Sequence, residues 1–422
     1  MLHSRSFTAL LLLAAAALAC ASPIATSQVN NAATTAAQTM QALVPSTPAA
    51  SALPSSAPGA TNTPVLQAAA SPSATVPANT DPLPHSLYFI NKDSGGLLQI
   101  YRIERDGHSV HQITFEPASV DGYDISPHDG SVAYVSNNQM LLVDANGAGR
   151  RLILDGGPVD DNNRFTNSVG APVWSPEGGR IAFTYGGLNF YSLSTGAVNK
   201  VLVNQVDNSA GFAVVHELYA PVRYAFDGDK LLISIAFNEG GTYGIYYSSN
   251  NTLVRLTRPD GGIVCCNPAW TPDGSGLYAS SSSIGIVESG LWYINPTDGS
   301  VATLLVGSAP DGTYNFAAAP QVGTDGKLYY FFNNLTAIPT NSHTPLVLVR
   351  SETDGVTGRT QLKQDVFENT NEILWAPDAG LAIVTIAPSQ DVNAGGQAEI
   401  VYPDARPNIL LVPFAEQLRW GP

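Results

Sequence analysis

Oxygen-bearing side chains recur at one place in this chain, three or four residues ahead of a large apolar residue that itself recurs. Asp121, Asn267, Asn371, Glu372 and Glu416 stand there, beside Cys266 and Gln417, while His216 and Glu217 occupy a longer loop ahead of Tyr224. Carboxylates and amides gathered into a ring suit a hard, Ca-like cation, which prefers oxygen ligands, or a polyhydroxylated molecule. The plainer expectation is a wet, polar channel mouth that satisfies strand ends. Asp160 and Asp161, followed by Asn162 and Asn163 in GGPVDDNNRF, form the densest local oxygen cluster. Their spacing lacks the alternate ligands, central Gly and distal Glu of an EF-hand loop, so a solvated loop is expected.

Nucleophilic and metal-assisted catalysis find little support. No G-x-S-x-G or H-E-x-x-H element is present, and the seven His are scattered. His216 and Glu217 are a base and an acid on paper, but neighbours on a strand point to opposite faces. No catalytic residue is assigned and no organic cofactor is expected. Cys265 and Cys266 are adjacent and, apart from Cys20, are the only cysteines. In an exported chain such a pair is prone to oxidise, here into a vicinal disulfide, with a reduced pair as the alternative. Two neighbouring thiols are too few for zinc. With 34 acidic against 19 basic residues, a net charge of −15 and no basic cluster, nucleic acid is not an expected partner.

A degenerate repeat must position these side chains. APVWSPEGGRIAF, NPAWTPDGSGLYA and EILWAPDAGLAIV share a short apolar run, a Pro/Asp/Gly turn and a second β-rich run. Fainter copies bring Ile125, Tyr224 and Val322 into register with Trp174, Trp270 and Trp375, at spacings of 46 to 53 residues. Two runs about a tight turn make a hairpin. Two more strands follow in each unit, and four strands per unit make a propeller blade. Ahead of Ile125 stands an incomplete unit, SLYFINKD through HSVHQIT, that lacks a first strand. Trp420 lies 45 residues beyond Trp375, so the terminal AEQLRWGP is expected to supply it. The predicted fold is all-β, a seven-bladed propeller of four-stranded antiparallel blades over residues 86–422, closed by a C-terminal strand in the first blade.

The W-S-P-E-G, W-T-P-D-G and W-A-P-D-A elements, each followed by a strand and a D-G or T-G turn, resemble the WD40-like (PD40) repeats of TolB-type propellers. The resemblance covers nearly all of residues 86–422 and implies a fold, not an activity. The two-domain TolB protein carries another domain ahead of its propeller, where this chain has a polar stretch, so no partner is carried over. In such a ring the long connections 158–168, 206–220, 258–266, 308–316, 336–345 and 389–397 share one face. Irregular loops on a rigid scaffold are where binding tends to sit. Their aromatics, Phe212, Tyr219, Tyr243, Tyr314 and Phe316, could stack on a sugar or peptide, or belong to the core.

Residues 1–20 combine His3 and Arg5, an apolar run and Ala19 before Cys20, which is an export signal. Its end resembles a bacterial lipobox, which implies lipidation at Cys20. Residues 21–85 are rich in Ala, Ser, Thr and Pro and lack Phe, Tyr and Trp, so they read as a disordered tether. The expectation is a monomeric lipoprotein facing the periplasm or exterior, touching the membrane only through its lipid, and binding a protein, peptide or glycan. The alternative is a lactonase-like or quinoprotein-like propeller enzyme using the channel mouth.

Overall fold

The computed structural model describes residues 81–422, apart from 161, 210–212, 239, 260–261, 263–265, 267, 285–286 and 340–342. The chain divides into a unit Met1–Ala78 and a unit Asn79–Pro422, and the second contains all the described residues. Cys20, the export signal and nearly all of the tether therefore lie outside the described residues.

Blade two shows how local sequence builds the repeat. Its first strand, Val120–Ile125, alternates, with Val120, Tyr123 and Ile125 buried and Asp121 exposed. Its second, Val132–Ser136, is VAYVS and is buried at every position, because both faces of the sheet meet neighbouring blades. The fourth strand, Arg151–Asp155, lies at the outer edge and has no fully buried residue. The other blades are four-stranded in the same antiparallel way, with first strands Val169–Trp174, Val214–Tyr224, Ala269–Trp270, Tyr314–Val322 and Thr370–Trp375 for blades three to seven. Gln205–Asp207 adds a short fifth strand to blade four.

Burial counts the blades independently of hydrogen bonding. Seven apolar clusters occur among the described residues, and each joins side chains from two consecutive blades. The cluster closing the circle unites Leu87 and Phe89 of blade one with Ile383 and Ile400 of blade seven, and with Leu418 from the terminal peptide. Several recurring tryptophans stitch one blade to the blade before it. The indole N–H of Trp270 donates to Arg223 O (3.3 Å), that of Trp375 to Ala319 O (2.7 Å) and that of Trp420 to Trp375 O (2.8 Å).

Closure follows the sequence expectation, with one difference. A single strand, Ile409–Trp420, serves two blades: its first half pairs with Gly396–Val401 as the fourth strand of blade seven. Its second half pairs with Leu87–Lys92 as the first strand of blade one. The two blades thus share a seven-stranded sheet. Pro413 stands at the hand-over, where a missing N–H costs no ladder bond. A second difference concerns the tether boundary. Leu83, expected in the polar tether, is fully buried in the closing cluster and donates its N–H to Arg105 O at 3.2 Å.

Candidate functional site

The two faces of the ring are built differently. Turns between first and second strands are short, and an Asp carboxylate caps most of them. Asp273, for example, accepts the Ser275 N–H at 3.0 Å, and Asp227 that of Asp229 at 3.0 Å. Most connections between blades, and the second-to-third turns of blades five, six and seven, are the long ones, and they share the opposite face; the connection from blade six to blade seven is only two residues.

Amide side chains, buried at Gln99 and half-buried at Asn138, Asn204 and Asn371, hold those long connections in place. Asn138 donates to Gly157 O (2.8 Å) and Asn167 O (3.0 Å) and accepts from Val169 N (2.8 Å), which clamps the loop between blades two and three. Asn204 donates to Phe165 O (2.9 Å) and accepts from Tyr219 N (3.0 Å). Gln99 makes reciprocal bonds of 3.0 Å with the backbone of Glu116. Asn371 belongs to this set. Expected at the channel mouth, it instead donates to Val392 O (3.1 Å) and Gly395 O (2.6 Å) and meets His343 Nε2 at 2.8 Å.

The channel is lined by the residues that alternate with the core-facing register. Three charged side chains stand directly before the seam-facing Trp420, Tyr224 and Ile125 on innermost strands, and they influence one another although not all of their blades are neighbours, which sets them around the axis. These are Arg419, Arg223 and Asp124. Arg419 stands between two carboxylates, with Nε 3.6 Å from Asp124 on one side and Nη1 4.0 Å from Glu372 on the other. Each carboxylate also accepts a backbone N–H of the following blade, Asp124 from Trp174 at 2.6 Å and Glu372 from Leu418 at 2.8 Å. Burial pushes both carboxyls above their ordinary range, against the opposing pull of Arg419 and these N–H donors. Arg223 is solvent-accessible, as a channel residue can be while protein surrounds it. That surrounding protein, and secondarily the like charge of Arg419, holds it below the usual arginine value, while Asp124 and Glu372 oppose the shift.

Backbone strain concentrates at the same layer. Ala171, Ala319 and Gln417, each three residues before the register position, have φ of 48°, 50° and 54°. The left-handed region costs a residue with a Cβ about 1–2 kcal/mol. Each coincides with a shift of strand register, the mark of a bulge. The next residues are Pro172, Pro320 and Leu418. The prolines have no N–H to leave unpaired, and the Leu418 N–H goes to Glu372.

The expected oxygen donors come together only in part. Asp121 and Glu416 lie on adjacent first strands, four residues before the register position, and the protein crowding around them raises both carboxyls, opposed at Glu416 by Lys92. Glu372 sits one residue deeper on its strand, as expected from its spacing. Asn267, Asp161 and Cys265 lie outside the described residues; Cys266 is disulfide-bonded. His216 and Glu217 are in the strand Val214–Tyr224 rather than in a loop, because Gln205–Asp207 pairs with that stretch. His216 is exposed, and Glu217 is paired with Arg255 at 2.8 Å, which holds its carboxyl below the usual range. Asp160 is exposed and caps its own turn by accepting Asn162 N at 2.9 Å. Among the described residues no group of three His, Cys, Asp or Glu converges as a metal site. The sequence reading missed Asp124, Arg223 and Arg419. Their signal was a charge directly before a seam-facing residue, on the opposite side of the strand.

No protein-family model matches the sequence, and no curated protein matches it. Solved structures do. TolB from Acinetobacter baumannii is 15% identical, over 78% of this chain and 80% of that one, with a TM-score of 0.40. An oligogalacturonate lyase from Vibrio parahaemolyticus is 12% identical, over 77% and 84%, with a TM-score of 0.46. Porphyromonas gingivalis dipeptidyl peptidase 4 is 12% identical over 75% of this chain and 49% of that one, with a TM-score of 0.46. Likeness at this level carries no activity across, and the propeller fold rests on the chain's own sheets and seams.

Proposed function

We propose that this protein is an extracytoplasmic binding propeller, tethered by a lipid on Cys20, that presents its loop-rich face to a protein, peptide or glycan of the cell envelope. The observation that supports this reading is the set of amide clamps from Asn138, Asn204, Gln99 and Asn371, which fix long polar loops as one preorganised surface. A loop ordered before binding spares the complex the entropy of ordering it then. The clamps act on connections that a shorter turn could replace.

Affinity capture from envelope extracts tests the reading, using the full chain and a variant in which residues 158–166 and 389–394 are replaced by short Gly-containing turns. The expected result is loss of the captured ligand in the variant with an unchanged melting curve. Equal capture by both would remove the loop-rich face from consideration. Metabolic labelling with a fatty-acid probe, compared between the natural chain and Cys20→Ser, tests the anchor separately.

A further inference from the structure

Arg223 has no assigned role in the loop-rich face. Among the described residues its guanidinium makes no hydrogen bond and no ion pair, and its main chain alone is engaged, accepting the Trp270 indole N–H. An arginine offers five N–H donors in a rigid fork that matches a carboxylate. Arg223 is open to water, so its donors are free to meet a ligand without first breaking a contact within the protein. The neighbouring acids make no bond to it. Asp124 and Glu372 flank Arg419 on the far side of the ring and are each held by a backbone N–H of the next blade. Blades one and four stand nearly opposite in a ring of seven, so Arg419 and Arg223 face one another across the axis.

We propose that the central channel is a receptor site for a small carboxylate ligand, with Arg223 as its principal donor and Arg419 as the facing charge. First strands run from the loop-rich face toward the short-turn face, so Asp121 and Glu416 guard the loop-side mouth with negative charge. A carboxylate therefore meets the arginines from the short-turn side. This site is independent of the loop-rich face and survives if that reading fails.

Isothermal titration of the full chain with sodium succinate, near neutral pH and at low ionic strength, tests the proposal. The natural chain should give saturable one-site binding that the uncharged succinamide does not reproduce. Arg223→Gln should weaken it about tenfold or more, since a charge-assisted bidentate pair is among the stronger polar contacts. Arg223→Lys should fall between the two. Arg406→Gln, an exposed arginine paired with Asp404 outside the channel, should bind as the natural chain does. Thermal melts of each variant identify any that fail to fold, and Arg223→Lys keeps the test decisive if Arg223→Gln does. Absence of saturable binding by the natural chain, undiminished binding by a folded Arg223 variant, loss in Arg406→Gln, or equal binding of succinamide would each overturn it.

Discussion

Glu116 and Asp124 are both carboxylates removed from bulk water beside an arginine, yet they respond in opposite directions. Glu116, at the seam between blades one and two, accepts Nε and Nη2 of Arg150 at 2.7 and 2.9 Å and the Tyr134 hydroxyl at 2.7 Å. Those bonds, the arginine's first, hold its carboxyl below the usual range despite burial. Asp124, at the channel, has Arg419 no nearer than 3.6 Å and is pushed up. Charge-assisted bonds at contact distance offset desolvation, whereas attraction across a longer gap does not. A seam can therefore be latched by a charge, while the channel carries charges that the fold only tolerates.

The sign of the pH dependence separates the two. Glu116 has a depressed folded value, so its contribution is present above the ordinary glutamate range and is lost as pH falls through that depressed value. Asp124 and Glu372 have raised folded values, so the native state binds more protons than the unfolded chain between the two. Their contribution is fullest in acid and is lost as pH rises through the raised values.

The harshest way to break the comparison is to delete residues 415–422. This removes Arg419 from the channel and also the fully buried Leu418 and Ala415 from the closing cluster. A loss on the order of 5 kcal/mol, or of cooperative melting altogether, is expected from the lost burial and unpaired ladder. A melt like that of the full chain would refute the shared strand. Next, Glu116→Gln should cost about 2–3 kcal/mol in urea unfolding near neutral pH, because Arg150 loses its charged acceptor, and the difference should fade in acid. Asp124→Asn should change stability by less than about 1 kcal/mol, neutral or favourable near neutral pH, since the amide oxygen can still accept Trp174 N–H. Equal losses from these two amide substitutions would show that distance to the arginine is not what divides them. The smallest effect is Ala319→Gly, where relief of the left-handed backbone should gain up to about 1 kcal/mol against the entropy glycine adds to the unfolded chain.

The recurring Trp, Asp and Gly elements made the blade and its register legible, because strand alternation and turn chemistry are local. Trp174, Trp270 and Trp375 all end first strands, as their spacing required. The polar partners were less legible. Asn371 looked like a channel ligand by spacing and is a loop clamp, because the bulge in its strand re-aims side chains near that end. Asp124 and Arg419 lie nearly 300 residues apart and meet only because the terminal strand enters blade one. Leu83, surrounded in sequence by polar and Pro residues, carried no periodic signal that it would be buried.

The amino-acid sequence by itself determined the strand type, the seven repeats and the use of the last peptide as a first strand. Each of these follows from side-chain alternation and turn residues within some fifty positions. Only the tertiary structure decided which charges meet, which amides clamp loops and which arginine is left unpaired in the channel. Those outcomes depend on bulges and on the return of the chain to its start, and the balance between desolvation and charge-assisted bonding is set by distances that only the folded chain fixes.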